Sequence, residues 1–491
     1  FLYAWRSNGE SLIPNPNYAF DIELNGDTTF YPLAFFDILD TTLVGTPTLG
    51  DVDGDDTLEI VSATVDGKVY CWKPVDLNND SLADLKAGFP VDLGNSISMI
   101  PVISDFDPEK PGLEIYVGTD MFKLFLISQD GCVIDSPRFD RRILGMAITD
   151  SSKINFIVTG DIIYGQHGIR VWRTDSRIST PAVPYDKASS PVVGDLNRDD
   201  ILDVVVVIGD GGVYAWDKEL SPLPGFPVEI GEKVESELAL GDIDGDGYLE
   251  IVVTSCNKIF AYNYNGTVAD NFPIIVDPAN PVDMIKSSPV LVDVDDDGIS
   301  DIVLGTQENK IYAFNKDGNQ IFGFPLSCAG PISSSGVMVD LDQDLKSELL
   351  VPADDGFVYA WKLPWDYHPE KNPWPMEGHD PSHTNYFPIE DLPNLPEFAF
   401  LPEKKVYTYP NPAKDRAIIR YFLGEDAEVN IKIYDLAGDL VEELDHTGVG
   451  GENNEKEWDC SKVASGVYLC RVEAKGLSQE EVVFCKIAVV K

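Results

Sequence analysis

The segment 241–254 limits what this chain can fold into. Asp242, Asp244, Asp246 and Glu250 stand at positions 1, 3, 5 and 9 of a short loop. Tyr248 at position 7 offers a backbone carbonyl, and Gly245 and Gly247 permit the turn that aims alternate side chains inward. Such a loop can gather the six to eight oxygens, at roughly 2.3–2.6 Å, that a hard cation such as Ca²⁺ requires. It then runs into Ile251, Val252 and Val253, a β-branched strand signal.

The loop recurs. Its counterparts are Asp51, Asp53, Asp55 and Glu59; Asp195, Asn197, Asp199 and Asp203; Asp293, Asp295, Asp297 and Asp301; and Asp340, Asp342, Asp344 and Glu348. A sixth copy, with Asp105, Asp107 and Glu114, carries one extra residue, and a seventh at Asp150 keeps only its strand. The spacing of about 45–54 residues points to a propeller or array. Each loop is followed by a second strand with an aromatic end, at Trp72, Trp172, Trp216, Tyr262, Phe314 and Trp361. Gly-Phe-Pro turns follow at Phe89, Phe226 and Phe324, and then a strand of small residues leads into the next loop. A four-stranded unit of this kind cannot bury its faces alone, whereas a ring of them can. Seven units are expected. The unmatched strand at Phe1–Trp5 either completes the last unit or marks a start inside a larger array.

The bulk numbers agree. In 491 residues there are 83 acids against 36 bases, a net charge of −47. That excess excludes nucleic acid as a partner and disfavours anionic membrane surfaces. The acids sit in short loops rather than long runs, so divalent cations are the simplest way to neutralise them. No apolar run approaches the ~20 residues of a membrane helix, so no membrane insertion is expected. The start at Phe1, mid-pattern and without Met, is read as the result of removal of a signal peptide or more. Seven scattered cysteines do not form a disulfide scaffold. Cys470 and Cys485 would face each other across a hairpin, as a disulfide or as two thiols.

Residues 365–402, rich in proline and aromatics, are read as a segment that closes the ring and then a stiff linker. From Val406 onward, alternating strands over about 85 residues fit a small antiparallel sandwich. The expected fold is therefore all-β: a seven-bladed β-propeller over 1–364, a closing segment and linker over 365–402, and a sandwich over 403–491.

The acidic loops with their Glu/Asp-Ile-Val strands resemble the FG-GAP/VCBS repeats of integrin-like propellers. That resemblance implies about five to seven structural Ca²⁺ sites. The segment from Trp374 to Thr384 is similar to one that follows the last repeat in bacterial members. Tyr409 to Pro412, Ile433 to Gly438, Trp458, Asp459, Ser465 to Tyr468 and Lys486 to Lys491 resemble the sorting domain of type IX secretion substrates, related to FlgD-like immunoglobulin folds. This implies a secreted or cell-surface bacterial protein.

Other candidates have plainer readings. Asp76, Asn78, Asp80 and Asp84 repeat the loop spacing out of phase, either as an extra Ca²⁺ loop or as a polar turn. His379 and His383 are four apart, but Pro381 lies between them and no His-Glu-x-x-His motif is present, so packing is expected. The repeated aromatics are expected to pack between units rather than stack on sugars. No phosphate loop or catalytic elbow is present. The functional expectation is a non-enzymatic binding or assembly module. Its partner would be an extracellular protein, a glycan, or other copies through exposed strands. The rival is a polysaccharide lyase, which would need bases such as Lys68, Arg141, Arg142, Arg170 and Arg198 to converge.

Overall fold

The computed structural model describes residues 19–24, 27–32, 41–75, 83–105, 112–139, 142–149, 154–161, 166–173, 177–179, 183–184, 189–279, 285–392, 401, 406–424, 427–436, 438–450, 453–476 and 480–491. The chain divides into two compact units, Phe1–Pro393 and Asn394–Lys491.

After a hairpin at Ala19–Leu24 and Asp27–Pro32, the first unit is a succession of antiparallel sheets. Seven follow one another in chain order among the described residues. The fifth is representative. Its strands are Ala239–Gly241, Glu250–Ser255, Lys258–Tyr262 and Ile274–Ile275, each hydrogen-bonded to the next. The three-residue first strand and the two after it are almost wholly buried. Strands covered on both faces read as continuous Val/Ile runs, and this is why the alternation expected of a one-sided sheet is missing. The seventh sheet, in contrast, has three strands, and its last, Val358–Asp366, is half-exposed.

The aromatic strand ends pack within the sheets. Tyr70 stacks on Trp72 at 5.2 Å, and Tyr214 on Trp216 at 5.5 Å. Tyr312 on Phe314 and Tyr359 on Trp361 repeat the arrangement. Residues two apart share one face of a strand, so their rings meet. A fourth Phe-Pro turn at Phe272-Pro273, with Asn271 in place of glycine, joins the three read from sequence.

The first strands of the seven sheets share one neighbour, the segment 371–387. The Leu291 N–H donates to the Trp374 carbonyl at 3.0 Å, and Met338 N–H to Pro375 at 3.1 Å. Leu49 N–H then bonds Pro381, Ile103 bonds Ser382, Ile148 bonds Thr384 and Val193 bonds Asn385. Gly241 of the fifth sheet lies against Pro373. The segment thus passes from the sixth and seventh sheets to the first, second, third and fourth in turn. A strap reaching every first strand lies along the axis of a β-propeller. It occupies the backbone groups that the inner edges would leave unpaired.

The second unit is an antiparallel sandwich. One sheet holds Tyr407–Tyr409, Arg416–Phe422 and Asn453–Asp459, and the other holds Leu440–Gly448, Ala427–Tyr434, Gly466–Lys475 and Glu480–Val489. Between them lie Ile419, Tyr421, Ile431, Ile433, Trp458, Val472 and Ile487. Cys470 and Cys485 are register partners facing this core, present as thiols.

Candidate metal centres

Each of the five regular loops links the first strand of its sheet to the second, and all five share one hydrogen-bond pattern. The position-1 aspartate accepts the position-6 N–H: Asp56 to Asp51, Asp200 to Asp195, Gly247 to Asp242, Gly298 to Asp293 and Leu345 to Asp340, at 2.9–3.0 Å. The position-5 aspartate accepts the position-7 N–H, as Asp246 does from Tyr248 at 2.9 Å. The position-9 acid accepts the position-2 N–H through one oxygen. Glu59 takes Val52, Asp203 takes Leu196, Glu250 takes Ile243, Asp301 takes Val294 and Glu348 takes Leu341. Positions 4 and 6 have positive φ in every loop, even where the residue is Arg198, Gln343 or Leu345 rather than glycine. The backbone winds inward tightly enough to bring alternate carboxylates together.

Ligand oxygens from Asp51, Asp53 and Glu59 lie within 4.8 Å of one another, as do those of Asp242, Asp244 and Asp246. The same holds for Asp293, Asp295 and Asp297, and for Asp340, Asp342 and Asp344. In the fourth sheet Asn197 replaces the middle carboxylate, between Asp195 and Asp199.

The electrostatics show what these clusters lack. Glu250 is fully buried; Oε2 holds the Ile243 N–H, and Oε1 has no hydrogen bond. Burial, reinforced by Asp244, pushes its pKa up to about 10. Burial likewise pushes Asp203 and Asp301 up to about 8, and Asp244 to about 6. Unpaired buried carboxylates of this kind favour the proton or a cation. The donor set, all oxygen with an orphaned carboxylate atom, fits a hard divalent ion.

The loops differ in one respect that the sequence reading missed. The residue after each aromatic strand end stands across the ladder from the position-9 acid. Lys362 is the register partner of Glu348, and Asp217 of Asp203. Lys73, Asn263 and Asn315 hold the equivalent place in the first, fifth and sixth sheets, one step beyond Trp72, Tyr262 and Phe314. Lys73 Nζ sits 2.8 Å from Asp53, 2.9 Å from Asp55 and 3.8 Å from Glu59. Lys86 also pairs with Asp53. Lys362 Nζ sits 2.9 Å from Asp342 and 3.6 Å from Glu348, and also pairs with Asp344. The pattern was readable from the phase of the repeat, because the position follows directly after the aromatic.

Several candidates lie outside the described residues: Asp107, Asp76, Asn78, Asp80, the copy at Asp150 and the strand at Phe1–Trp5. Asp105, Glu114 and Asp84 are described, but without the residues that would complete a site. His379 packs against Trp374 and Phe387. His383 is buried on the strap, and burial pushes its pKa down. It lines an axial cavity of about 170 Å³ with Ser98, Ser190, Glu237, Glu377 and Asn385.

Residues 407–486 match the family described as Secretion system C-terminal sorting domain. The second unit is therefore a type IX sorting tail, which directs the chain to the cell surface or the extracellular space. No curated protein matches the sequence. Among solved structures, BamB from Moraxella catarrhalis is 15% identical, with a TM-score of 0.45, over 68% of this chain and 88% of its own. BBS1N, solved in complex with ARL6DN, is 12% identical, with a TM-score of 0.45, over 66% of this chain and 93% of its own. PorZ of Porphyromonas gingivalis, an essential bacterial surface component of the type IX secretion system, is 16% identical, with a TM-score of 0.38. That match covers 95% of this chain and 62% of PorZ.

Proposed function

We propose that the first unit is a calcium-stabilised scaffold of the FG-GAP/VCBS kind, exported by its tail and acting outside the cell as a rigid binding or assembly module rather than an enzyme. The carrying observation is the fivefold repetition of one loop geometry, with carboxylates converging in four of the loops and a fully buried, unpartnered oxygen on Glu250. A catalytic metal needs one special site with an open position. Repetition in phase with the sheets instead suits ions that brace the turn between two strands. The partner is an extracellular protein, a glycan or another copy of the chain. The bases that a lyase would converge do not support that rival where described: Lys68 pairs with Asp66 in the first sheet, and Arg142 with Asp120 between the second and third.

The test is chelation. EDTA is expected to lower the melting temperature of the exported protein, and added Ca²⁺ to restore it. An unchanged melt defeats the structural-calcium reading.

A further inference from the structure

We infer that the five loops are not equivalent, and that lysines built into the first and seventh sheets take the place of calcium there, leaving the fourth, fifth and sixth sheets as the calcium sites. The inference rests on the calcium reading and specifies where the ions go.

In each of these five sheets the residue after the aromatic strand end stands opposite the position-9 acid, and on Glu59, Glu250 and Glu348 one carboxylate oxygen has no hydrogen bond. A side chain there has two options. A lysine brings an ammonium among the carboxylates. Asparagine or aspartate brings no ammonium: Asp217 and Asn315 turn Oδ1 to backbone N–H groups of the turn that follows, and Asn263 donates to Thr267. The first and seventh sheets take the first option, with Lys73 and Lys362 each reaching positions 3, 5 and 9. Lys86 adds a second ammonium to the first cluster.

The middle three sheets take the other option, with Asp217, Asn263 and Asn315. Among the described residues, no lysine or arginine lies within ion-pair distance of Asp195, Asp199 or Asp203, or of Asp242, Asp244, Asp246 or Glu250; Lys316 acts on Asp244 only from farther off. In the sixth sheet Lys371 comes from the strap, but its close partner is Asp296, at 2.7 Å, and Asp293 is 3.5 Å away. Asp296 is at position 4 and outside the ligand set. Lys371 therefore reaches one ligand position, Asp293, whereas Lys73 and Lys362 each reach three.

Charge follows the same division. A monovalent ammonium held by the backbone needs no ion from solution and must be displaced before one can enter. A cluster with no ammonium bonded to its ligand oxygens meets a divalent ion with its negative charge uncompensated. Filling is thus expected in the fourth, fifth and sixth sheets first.

The experiment is calcium titration of the full chain by calorimetry after chelator treatment. The wild type is expected to take up three tightly bound ions. Lys362→Gln is expected to add one tight site, and Lys73→Gln with Lys86→Gln another. Asn263→Lys, which puts an ammonium opposite Glu250, is expected to remove one or weaken it on the order of tenfold, the effect of a single ion pair. Circular dichroism checks that each variant is folded. Five equal sites in the wild type, or a Lys362→Gln stoichiometry unchanged while Asn263→Lys binds normally, would overturn the inference and leave the calcium reading intact. No uptake by any of these proteins would overturn the calcium reading itself, and the inference with it.

Discussion

Leu345 carries a cost that the equivalent glycines avoid. It occupies position 6 of its loop with φ of 66°, and its side chain is 71% exposed. The left-handed conformation costs a residue with a Cβ about 1–2 kcal/mol, and an exposed leucine recovers little of that by packing. Its N–H bond to Asp340 belongs to the backbone and survives substitution. Leu345→Gly is therefore expected to stabilise the protein by about 1 kcal/mol, net of the entropy glycine adds to the unfolded chain. A denaturant midpoint that stays put or falls would reject this. At this scale the sequence was highly legible. The recurrence of positions 1, 3, 5 and 9 was readable because the spacing is local, and three of the four positions come together in four of the loops. The lysines were not read as partners. Lys362 lies 14 residues beyond Glu348, and only the strand register makes them neighbours.

At the scale of elements, strands were legible and the strap was not. Strand signals such as Ile251 to Val253 are local, and they recur. The strap has no period of its own, and its hydrogen bonds go to strands up to 333 residues away in sequence, as when the Ser382 hydroxyl donates to Leu49. A proline- and aromatic-rich break therefore suggested a closing segment without showing that it runs along the axis. Trp374 is 1% exposed, and its backbone exchanges two hydrogen bonds with Leu291 while its ring joins the core of the fifth and sixth sheets. Removing the ring leaves a cavity where those sheets meet the strap. Trp374→Ala is expected to cost about 3–5 kcal/mol. A loss below ~1 kcal/mol in urea unfolding would show that the strap is peripheral to the ring's stability.

For the whole molecule, the proposed calcium sites would make stability depend on metal and proton together. Without metal, Asp244, Asp203, Asp301 and Glu250 hold protons in the folded chain up to about pH 6, 8, 8 and 10, because burial disfavours their charged forms. The unfolded chain loses those protons near pH 4. Between these limits the folded state binds more protons, so stability falls as pH rises. The carboxylates held low by lysines, such as Asp53 and Asp296, act in the opposite sense, but they titrate below pH 4 and stay charged throughout this window. In EDTA, the melting temperature is therefore expected to rise on acidification from pH 8 to pH 5. With saturating Ca²⁺ the curve flattens, because the bound carboxylates stay charged in the folded chain and are already charged in the unfolded one. The ion must displace the same protons, so its apparent affinity and its stabilising effect grow with pH. The two curves should lie well apart at pH 8 and approach each other near pH 5. Parallel curves would mean that calcium and the buried carboxylates do not share sites. An EDTA curve that falls on acidification would mean that these carboxylates are already charged without metal, so the burial that sets them apart would not govern the scaffold's stability.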